Sequence, residues 1–90
     1  MKLFIILAIV VFDMDNDMWD VWGDRTADTE DEAKAIAEHF FREDMVDHCA
    51  IYSVDMDRET YHHLTHDVQA TAADIAFLQG TRVRTVLRSI

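Results

Sequence analysis

The longest apolar run of the chain covers residues 3–12 and predicts a strand that is buried on both faces. The run (LFIILAIVVF) has β-branched and aromatic residues at odd and even positions alike, which is typical of a central strand. Lys2 followed by an apolar run is also typical of a signal peptide. The run is too short to span a bilayer, and no small-x-small cleavage site follows it. We therefore interpret it as a strand.

A turn and a return strand are predicted directly after this run. Residues 13–17 (DMDND) have turn chemistry, and Asn16 and Asp17 are well suited to positive φ. Residues 18–23 (MWDVWG) then form the second strand, with Thr26 as its outer limit. The pair makes a β-hairpin.

A capping box marks the first helix. Thr29 is followed three residues later by Glu32, the spacing at which a threonine caps the helix and a glutamate reaches back to it. The apolar positions that follow repeat at helical spacing and give one apolar face: Ala33, Ile36, Ala37, Phe40 and Phe41. We predict a helix from about Glu30 to Met45.

The second half of the chain begins with a third strand at residues 48–54 (HCAIYSV). Residues 58–79 have a helical apolar stripe, as one helix or as two that break near Gln69–Thr71, and Gly80 is a natural stop. The last ten residues, TRVRTVLRSI, fit a strand and a helix equally well.

Together these patterns predict one α+β domain spanning residues 1–90. Residues 1–57 form a small ββαβ sheet with a helix on one face, and residues 58–90 form a helical C-terminal part in which the last segment is strand or helix. Because the first strand is apolar on both faces, homodimerisation is a further expectation.

Charge narrows the choice of partners. The chain has a net charge of −10. Residues 1–70 hold five Lys/Arg against seventeen Asp/Glu, a balance of −12, whereas residues 71–90 hold three against one, a balance of +2. Most of the surface should repel nucleic acid and anionic membranes and attract basic proteins.

The single cysteine, Cys49, has no partner for an internal disulfide. It lies in an apolar run, and we expect it to be buried. This cysteine usage is compatible with a reducing compartment, and we expect a cytoplasmic protein.

Five aspartates fall within residues 12–24, and four of them have the spacing of a calcium loop. Asp13, Asp15, Asp17 and Asp24 occupy its positions 1, 3, 5 and 12. The segment departs from the calcium-loop motif in three ways. Position 6 is Met18 instead of glycine, and position 12 is an aspartate instead of the bidentate glutamate. A strand precedes the segment, whereas a helix precedes a calcium loop. We favour a solvated hairpin turn.

An acidic edge built from two loops is another interpretation. Asp55 and Asp57 end the third strand. If the first and third strands are adjacent and parallel, these carboxylates lie at the same end of the sheet as Asp13 and Asp15. Such an edge is suited to binding a basic protein.

The two tryptophans lie beside this acidic segment. Tryptophan is favoured as a binding anchor, and Trp19 and Trp22 point to opposite faces if residues 18–23 are extended, so we expect one of them in the core. The candidate partner-binding residues are Asp13, Asp15, Asp17, Trp19, Asp20, Trp22, Asp24, Asp55 and Asp57.

A histidine cluster follows in the helical part. Glu59, His62, His63 and His66 share one helix face. His62 and His66 are spaced to ligate zinc jointly, and Glu59 and His62 have the spacing of carboxylate-bridged iron sites, which need further ligands from other helices. We favour an exposed polar face that binds no metal or cofactor. In the alternative interpretation, a metal-binding protein, the ligands are Glu59, His62 and His66.

Motifs for catalysis are scarce. The sequence has no nucleophile elbow, phosphate-cradling glycine loop or Cys-x-x-Cys motif. His48 and Cys49 are neighbours in a predicted strand, so their side chains point to opposite faces and cannot pair. We expect no enzymatic activity.

Residues 73–86 (ADIAFLQGTRVRTV) resemble the helix-turn-helix of DNA-binding regulators. Ala76 lies four residues before Gly80, Ile75 precedes that alanine, and Val86 lies six residues after the glycine. In that family the small residue lets two helices cross closely and the glycine makes the turn.

This resemblance implies a recognition helix that begins at Arg82. Its DNA-facing residues would be Arg82, Arg84 and Arg88. Gln79, Thr81 and Ser89 depart from the apolar pattern of the family. A helix with a glycine stop and a last strand or helix is the simpler interpretation, and we favour it.

In size, acidity and lack of catalytic motifs, the chain resembles the small phage-encoded inhibitors, including anti-CRISPR proteins. The resemblance implies a non-enzymatic inhibitor whose negative charge mimics that of DNA. Such an inhibitor would occlude a basic nucleic-acid-binding surface of a partner protein. A small DNA-binding regulator and a metal-binding protein are the alternatives.

Overall fold

The computed structural model describes residues 2–13 and 15–88. The predicted α+β fold is confirmed. Seven elements follow one another along the chain: β1 (Leu3–Asp13), β2 (Met18–Ala27), α1 (Glu30–Glu43), β3 (His48–Val54), α2 (Arg58–His66), α3 (Ala72–Gln79) and β4 (Thr81–Leu87).

The four strands form one antiparallel sheet in the order β2-β1-β3-β4. The apolar run of residues 3–12 is therefore a central strand, as its pattern predicts. β1 and β3 are adjacent but antiparallel, with Leu3 opposite Val54 and Ile9 opposite His48. This direction decides which loops meet at each end of the sheet.

Helices cover both faces of the sheet, because β1 is apolar on both. On one face, α1 packs through Ala33 and Ala37 over a cluster that includes Ile6 and Ile51. On the other face, α3 packs through Ile75 and its neighbours over a second cluster. The buried sheet residues of this second cluster are Leu3, Ile5, Leu7, Ile9, Ala50 and Val54. We call this second side of the sheet the α3 face.

The predicted caps and breaks set the helix limits. Thr29 has an extended backbone, and its Oγ1 accepts a hydrogen bond from the Glu32 N–H at 3.1 Å. The helix it starts ends at Glu43, two residues before the predicted limit. Residues 58–79 form two helices, and Gln69, between them, has a positive φ of 63°.

The last segment is a strand, which corrects the helix-turn-helix interpretation. Residues 81–87 pair with β3, so no recognition helix begins at Arg82 and the helical part ends at Gln79. The backbone groups on the free edge of β3 need hydrogen-bonding partners, and residues 81–87, whose pattern alternates, provide them. Residues 89 and 90, including Ser89, lie outside the described residues.

Gly80 allows the close junction between α3 and β4. A Cβ at this position would lie 2.8 Å from the carbonyl oxygen of Ala76 and 3.2 Å from that of Ser53. Both are backbone atoms that cannot rotate away. The glycine that resembled the turn of a helix-turn-helix thus joins a helix to a strand.

Truncation of the central sheet should destabilise the protein far more than truncation of its surface. Ile51 is fully buried and Leu78 is 84% exposed. We expect Ile51→Ala to lower the free energy of unfolding by about 2–5 kcal/mol, because it leaves a cavity beneath α1. Leu78→Ala, the control, should change it by no more than about 0.5 kcal/mol. Urea unfolding of both variants checks this, and similar losses would contradict the packing described.

Candidate functional site: an acidic hairpin beside an aromatic groove

The turn between β1 and β2 is organised by the carboxylate of Asp13. Its Oδ1 accepts the backbone N–H of Asp15 at 3.0 Å and that of Asn16 at 3.4 Å, and its Oδ2 accepts the side-chain amide of Asn16 at 2.7 Å. The Asn16 amide and these backbone N–H groups hold the pKa of Asp13 below its ordinary value. Asp17 has a φ of 53°, as its residue type predicted. The expected solvated hairpin turn is present; Met14 lies outside the described residues.

The calcium-loop spacing does not correspond to a convergent site. Asp24 lies opposite Leu7 in the second half of β2, far along the strand from Asp13, which ends β1. Among residues 2–13 and 15–88, no three His, Cys, Asp or Glu side chains are grouped so that they could hold a metal ion.

Successive side chains of β2 face opposite sides of the sheet. Trp19 lies opposite Val11 on the α3 face, whereas Asp20 lies opposite Val10 on the α1 face. A β-bulge follows, since Ile9 and Ala8 pair with Val21 and Gly23 and leave Trp22 as the extra residue.

The expectation that one tryptophan lies in the core is wrong. Trp19 is 45% exposed and Trp22 is 63% exposed. The β-bulge breaks the simple alternation at Trp22, and Trp19, although it meets the Phe77 ring of α3 edge-on, stays on the surface. Both tryptophans are therefore available at the surface near the acidic hairpin.

An open groove lies on the α3 face beside the hairpin. It has a volume of about 440 Å³. Its walls are aromatic: Phe77 meets Trp19 edge-on at 6.2 Å between ring centroids and Tyr52 at 5.6 Å. The remaining lining residues are Ile9, Val11, Asp17, His48, Ala50 and Arg82. We call this feature the aromatic groove.

Sequence reasoning missed Tyr52, Phe77 and Arg82 as parts of this site. Tyr52 lies in the predicted third strand and Phe77 in the predicted helical segment, and neither was given a role in a site. The two rings meet because the end of α3 packs next to β3, and this packing cannot be predicted from the pattern of either segment alone. One sequence feature did indicate an uncovered apolar surface here. The apolar residues of β1 continue to Phe12, and two short C-terminal helices cannot cover the whole length of this strand.

The three C-terminal arginines lie on different surfaces. Arg82 lies opposite Tyr52 on the α3 face, and Arg84 lies opposite Ile51 on the α1 face. The guanidinium of Arg88 donates hydrogen bonds to the carbonyls of Asp44 at 3.2 Å and Val46 at 3.0 Å. They do not form the single row that DNA recognition by a helix requires.

Asp55 and Asp57 lie at the opposite end of the sheet from the hairpin. Because β1 and β3 are antiparallel, the end of β3 meets the start of β1, so the expected acidic edge from two loops is not formed. Asp57 caps α2, and its Oδ1 accepts the Thr60 N–H at 2.7 Å. Hydrogen bonding from Thr60 lowers the pKa of Asp57.

Asp24 is also removed from the hairpin turn, since it faces α2. Burial raises the pKa of Tyr61 on α2 to about 12, and the charge of Asp24 contributes to this shift. Of the predicted acidic residues, the four that lie at the hairpin are Asp13, Asp15, Asp17 and Asp20.

The histidines of α2 form local pairs. The rings of His62 and His66 stack at 4.0 Å, and His63 Nδ1 lies 2.8 Å from the Asp67 carboxylate. Glu59 does not complete a three-ligand group with them in the part of the chain that the structure describes. A metal at Glu59, His62 and His66 therefore has no support in the geometry.

Cys49 is buried beneath α1, with its Sγ 3.9 Å from the Ala37 carbonyl. Burial raises the pKa of its thiol to about 11, so the thiol stays protonated near neutral pH and is a poor nucleophile. His48 faces the aromatic groove on the other side of the sheet. The sequence argument against a Cys–His pair agrees with these positions.

Comparisons with known proteins add no relative. No protein-family model matches the chain, and no curated protein or solved structure is significantly similar to it. In the described residues, no helix is long and apolar enough to cross a membrane. Function is therefore argued from the chain's own surface.

The burial of Cys49 predicts strong protection from thiol reagents. At mildly alkaline pH we expect the native protein to react with a disulfide reagent much more slowly than the urea-unfolded protein, because both access and thiolate formation are suppressed. Absorbance of the released thiolate gives the two rates. A native rate close to the unfolded one would contradict the buried position.

The hydrogen bonds of Asp13 predict a pH-dependent stability. A lowered folded-state pKa stabilises the fold above the ordinary value of 3.8, and the stabilisation is lost as pH falls through the lowered pKa. We expect the stability advantage of the wild type over Asp13→Asn to shrink between about pH 5 and about pH 2.

Asp15→Asn is the control for this experiment, since the Asp15 carboxylate accepts no hydrogen bond from a described residue. Its stability difference from the wild type should vary less with pH. Thermal unfolding at several pH values measures both differences, and equal pH dependence would show that the Asp13 carboxylate does not organise the turn.

Proposed function

We propose that the protein is a non-enzymatic protein-binding module that occludes a basic, nucleic-acid-binding surface of a partner protein. The observation that carries the proposal is the β1–β2 hairpin. Its turn is ordered by the Asp13 carboxylate and carries Asp15 and Asp17, and two exposed tryptophans lie beside it on β2.

Electrostatics favour a basic partner. The chain has a net charge of −10, and such a field speeds the approach of a positively charged surface. A surface that binds phosphates presents Lys and Arg side chains, which bind carboxylates as well. The hairpin can therefore compete with nucleic acid for the same groups.

The tryptophans supply the non-polar part of the contact. Large aromatic side chains dominate the binding energy of many interfaces when they are surrounded by groups that exclude water. Trp22 is 63% exposed and lies two residues along the chain from both Asp20 and Asp24. An exposed indole also attracts the guanidinium of a partner arginine through its π face.

The mechanism is steric and electrostatic occlusion, as in the phage-encoded inhibitors that the chain resembles in size and acidity. No chemical step and no cofactor is needed. A cytoplasmic setting completes the proposal, because Cys49 is a buried free thiol and nucleic-acid-binding effectors are found there.

The test is a pull-down from cell lysate with identification of bound protein and nucleic acid. We expect a basic nucleic-acid-binding protein that is released at high salt, because the screening length falls from about 10 Å at 0.1 M to about 3 Å at 1 M. Asp15→Lys/Asp20→Lys should weaken recovery by about tenfold or more, since attractive contacts become repulsive.

Glu30→Lys/Glu59→Lys is the matched control. Both glutamates are exposed and lie in the first turns of helices that follow β2 and β3 at the end of the sheet opposite the hairpin, and the change in net charge is the same. This variant should keep the partner. If both variants recover equally little partner protein, the loss of binding follows from net charge and not from the hairpin. Recovery of nucleic acid without a basic nucleic-acid-binding protein would overturn the proposal.

A further inference from the structure

The aromatic groove is elongated along the strands of the α3 face. Arg82 lies at one end, because it pairs with Tyr52, the partner of Ile5. Trp19 lies near the other end, opposite Val11. Ile5 and Val11 are six residues apart on β1, about 20 Å at about 3.3 Å per residue. A volume of about 440 Å³ spread over this length is a narrow space, with room for one extended chain of atoms.

The interior of the groove is apolar and offers few hydrogen-bonding groups. Its floor consists of Ile9, Val11 and Ala50 on β1 and β3, and the backbone groups of these strands pair with their neighbours in the sheet. The rings that form the wall meet edge-on in succession, from Trp19 through Phe77 to Tyr52. A polypeptide segment laid here would find no backbone partners in the floor, whereas a hydrocarbon chain needs none.

The two ends of the groove differ in charge. Arg82 belongs to β4 at one end, and Asp17 belongs to the hairpin turn beyond Trp19 at the other. Among the described residues, Arg82 has no acidic partner, although the chain has a net charge of −10. A guanidinium binds a carboxylate through two parallel hydrogen bonds, whereas Asp17 repels an anion. These charges would orient an anionic ligand along the groove.

We propose that the aromatic groove binds an amphipathic monocarboxylate of the medium-chain fatty acid type. The carboxylate pairs with Arg82, and the apolar chain extends over the floor towards Trp19. A phosphate monoester fits less well, because it carries about 1.5–2 negative charges at pH 7 and a single guanidinium neutralises one. A cationic amphiphile would place its charge at Asp17 and leave Arg82 without a partner.

This site goes beyond the proposed capture of a basic protein, which depends on the acidic hairpin. Few polar groups at one end of an apolar groove of this volume are typical of small-ligand sites. The preference for an anion is distinctive, because non-specific binding to a chain of net charge −10 favours cations.

The first test compares decanoate with decyltrimethylammonium, a cation of equal chain length, below the concentrations at which either forms micelles. Two-dimensional NMR of the purified protein follows the indole N–H signals of its two tryptophans. Decanoate should shift the signal of Trp19, which lines the groove, and leave that of Trp22, which does not line it. The cation should shift the Trp19 signal only at higher concentration.

Arg82→Gln is the decisive variant. It should raise the dissociation constant of decanoate by about tenfold or more, because the charge-assisted hydrogen bonds to the carboxylate are lost. Arg84→Gln is the matched control, since Arg84 is also exposed on β4 and lies opposite Ile51 on the other face of the sheet. It changes the net charge equally and should change the dissociation constant by less than about twofold.

The aromatic wall is tested by Phe77→Ala, with its neighbour on α3, Leu78→Ala, as the control. Phe77 is 46% exposed and Leu78 is 84% exposed, so neither substitution empties the core. Phe77→Ala should raise the dissociation constant by about fivefold or more, because the apolar chain loses its main wall contact. Leu78→Ala should leave it unchanged, since Leu78 does not line the groove.

Three results would overturn the proposal: no response of Trp19 at millimolar decanoate, tighter binding of the cation in the groove, or equal effects of Arg82→Gln and Arg84→Gln. Partner capture is judged separately. Asp15→Lys/Asp20→Lys changes residues that do not line the groove and should not weaken decanoate binding, and Arg82→Gln should still recover the basic partner in the pull-down.

Discussion

The structure depends on one constraint: β1 is apolar on both faces and must be covered on both. Two flanking strands satisfy its hydrogen bonds, and helices lie above and below it. The covering is unequal. β1 has eleven residues and spans about 36 Å, whereas α3 has eight residues and spans about 12 Å. The part of β1 beyond α3 becomes the floor of the aromatic groove, so the candidate site follows directly from this mismatch in length.

The antiparallel direction of β1 and β3 distributes the carboxylates over the surface. The acids after β3 lie at the start of β1, where Asp57 caps a helix, and the acids after β1 lie at the hairpin end, where Asp47 accepts the Val11 N–H. Chemically similar aspartates thus have different roles. Asp13 and Asp57 are held by hydrogen bonds that stabilise local structure. Asp15 and Asp17 extend from the ordered turn and are available for the proposed contact with a basic partner.

Residues of the candidate site divide into those that a sequence pattern can show and those that it cannot. The hairpin acids and tryptophans were predicted because they are close together along the chain. Tyr52, Phe77 and Arg82 were not, since they come from β3, α3 and β4 and meet only through the order of the strands. The exposed position of Trp22 could not be predicted either. It follows from a β-bulge, and a bulge depends on how two strands pair, not on the alternation within one strand.

The sequence by itself determined the local elements: a two-faced apolar strand, a turn of aspartate and asparagine, a helix that begins after Thr29 and a stop at Gly80. Each of these depends on backbone preferences and side-chain hydrogen bonds within a few residues, which the local sequence contains. Only the tertiary structure decided that residues 81–87 form a strand and not a recognition helix. Their alternation fits a strand, the spacing of their apolar residues also fits a helix, and the open edge of β3 makes the choice. It also decided the antiparallel pairing and the aromatic groove, since strand direction and helix coverage are set by packing among segments distant in sequence.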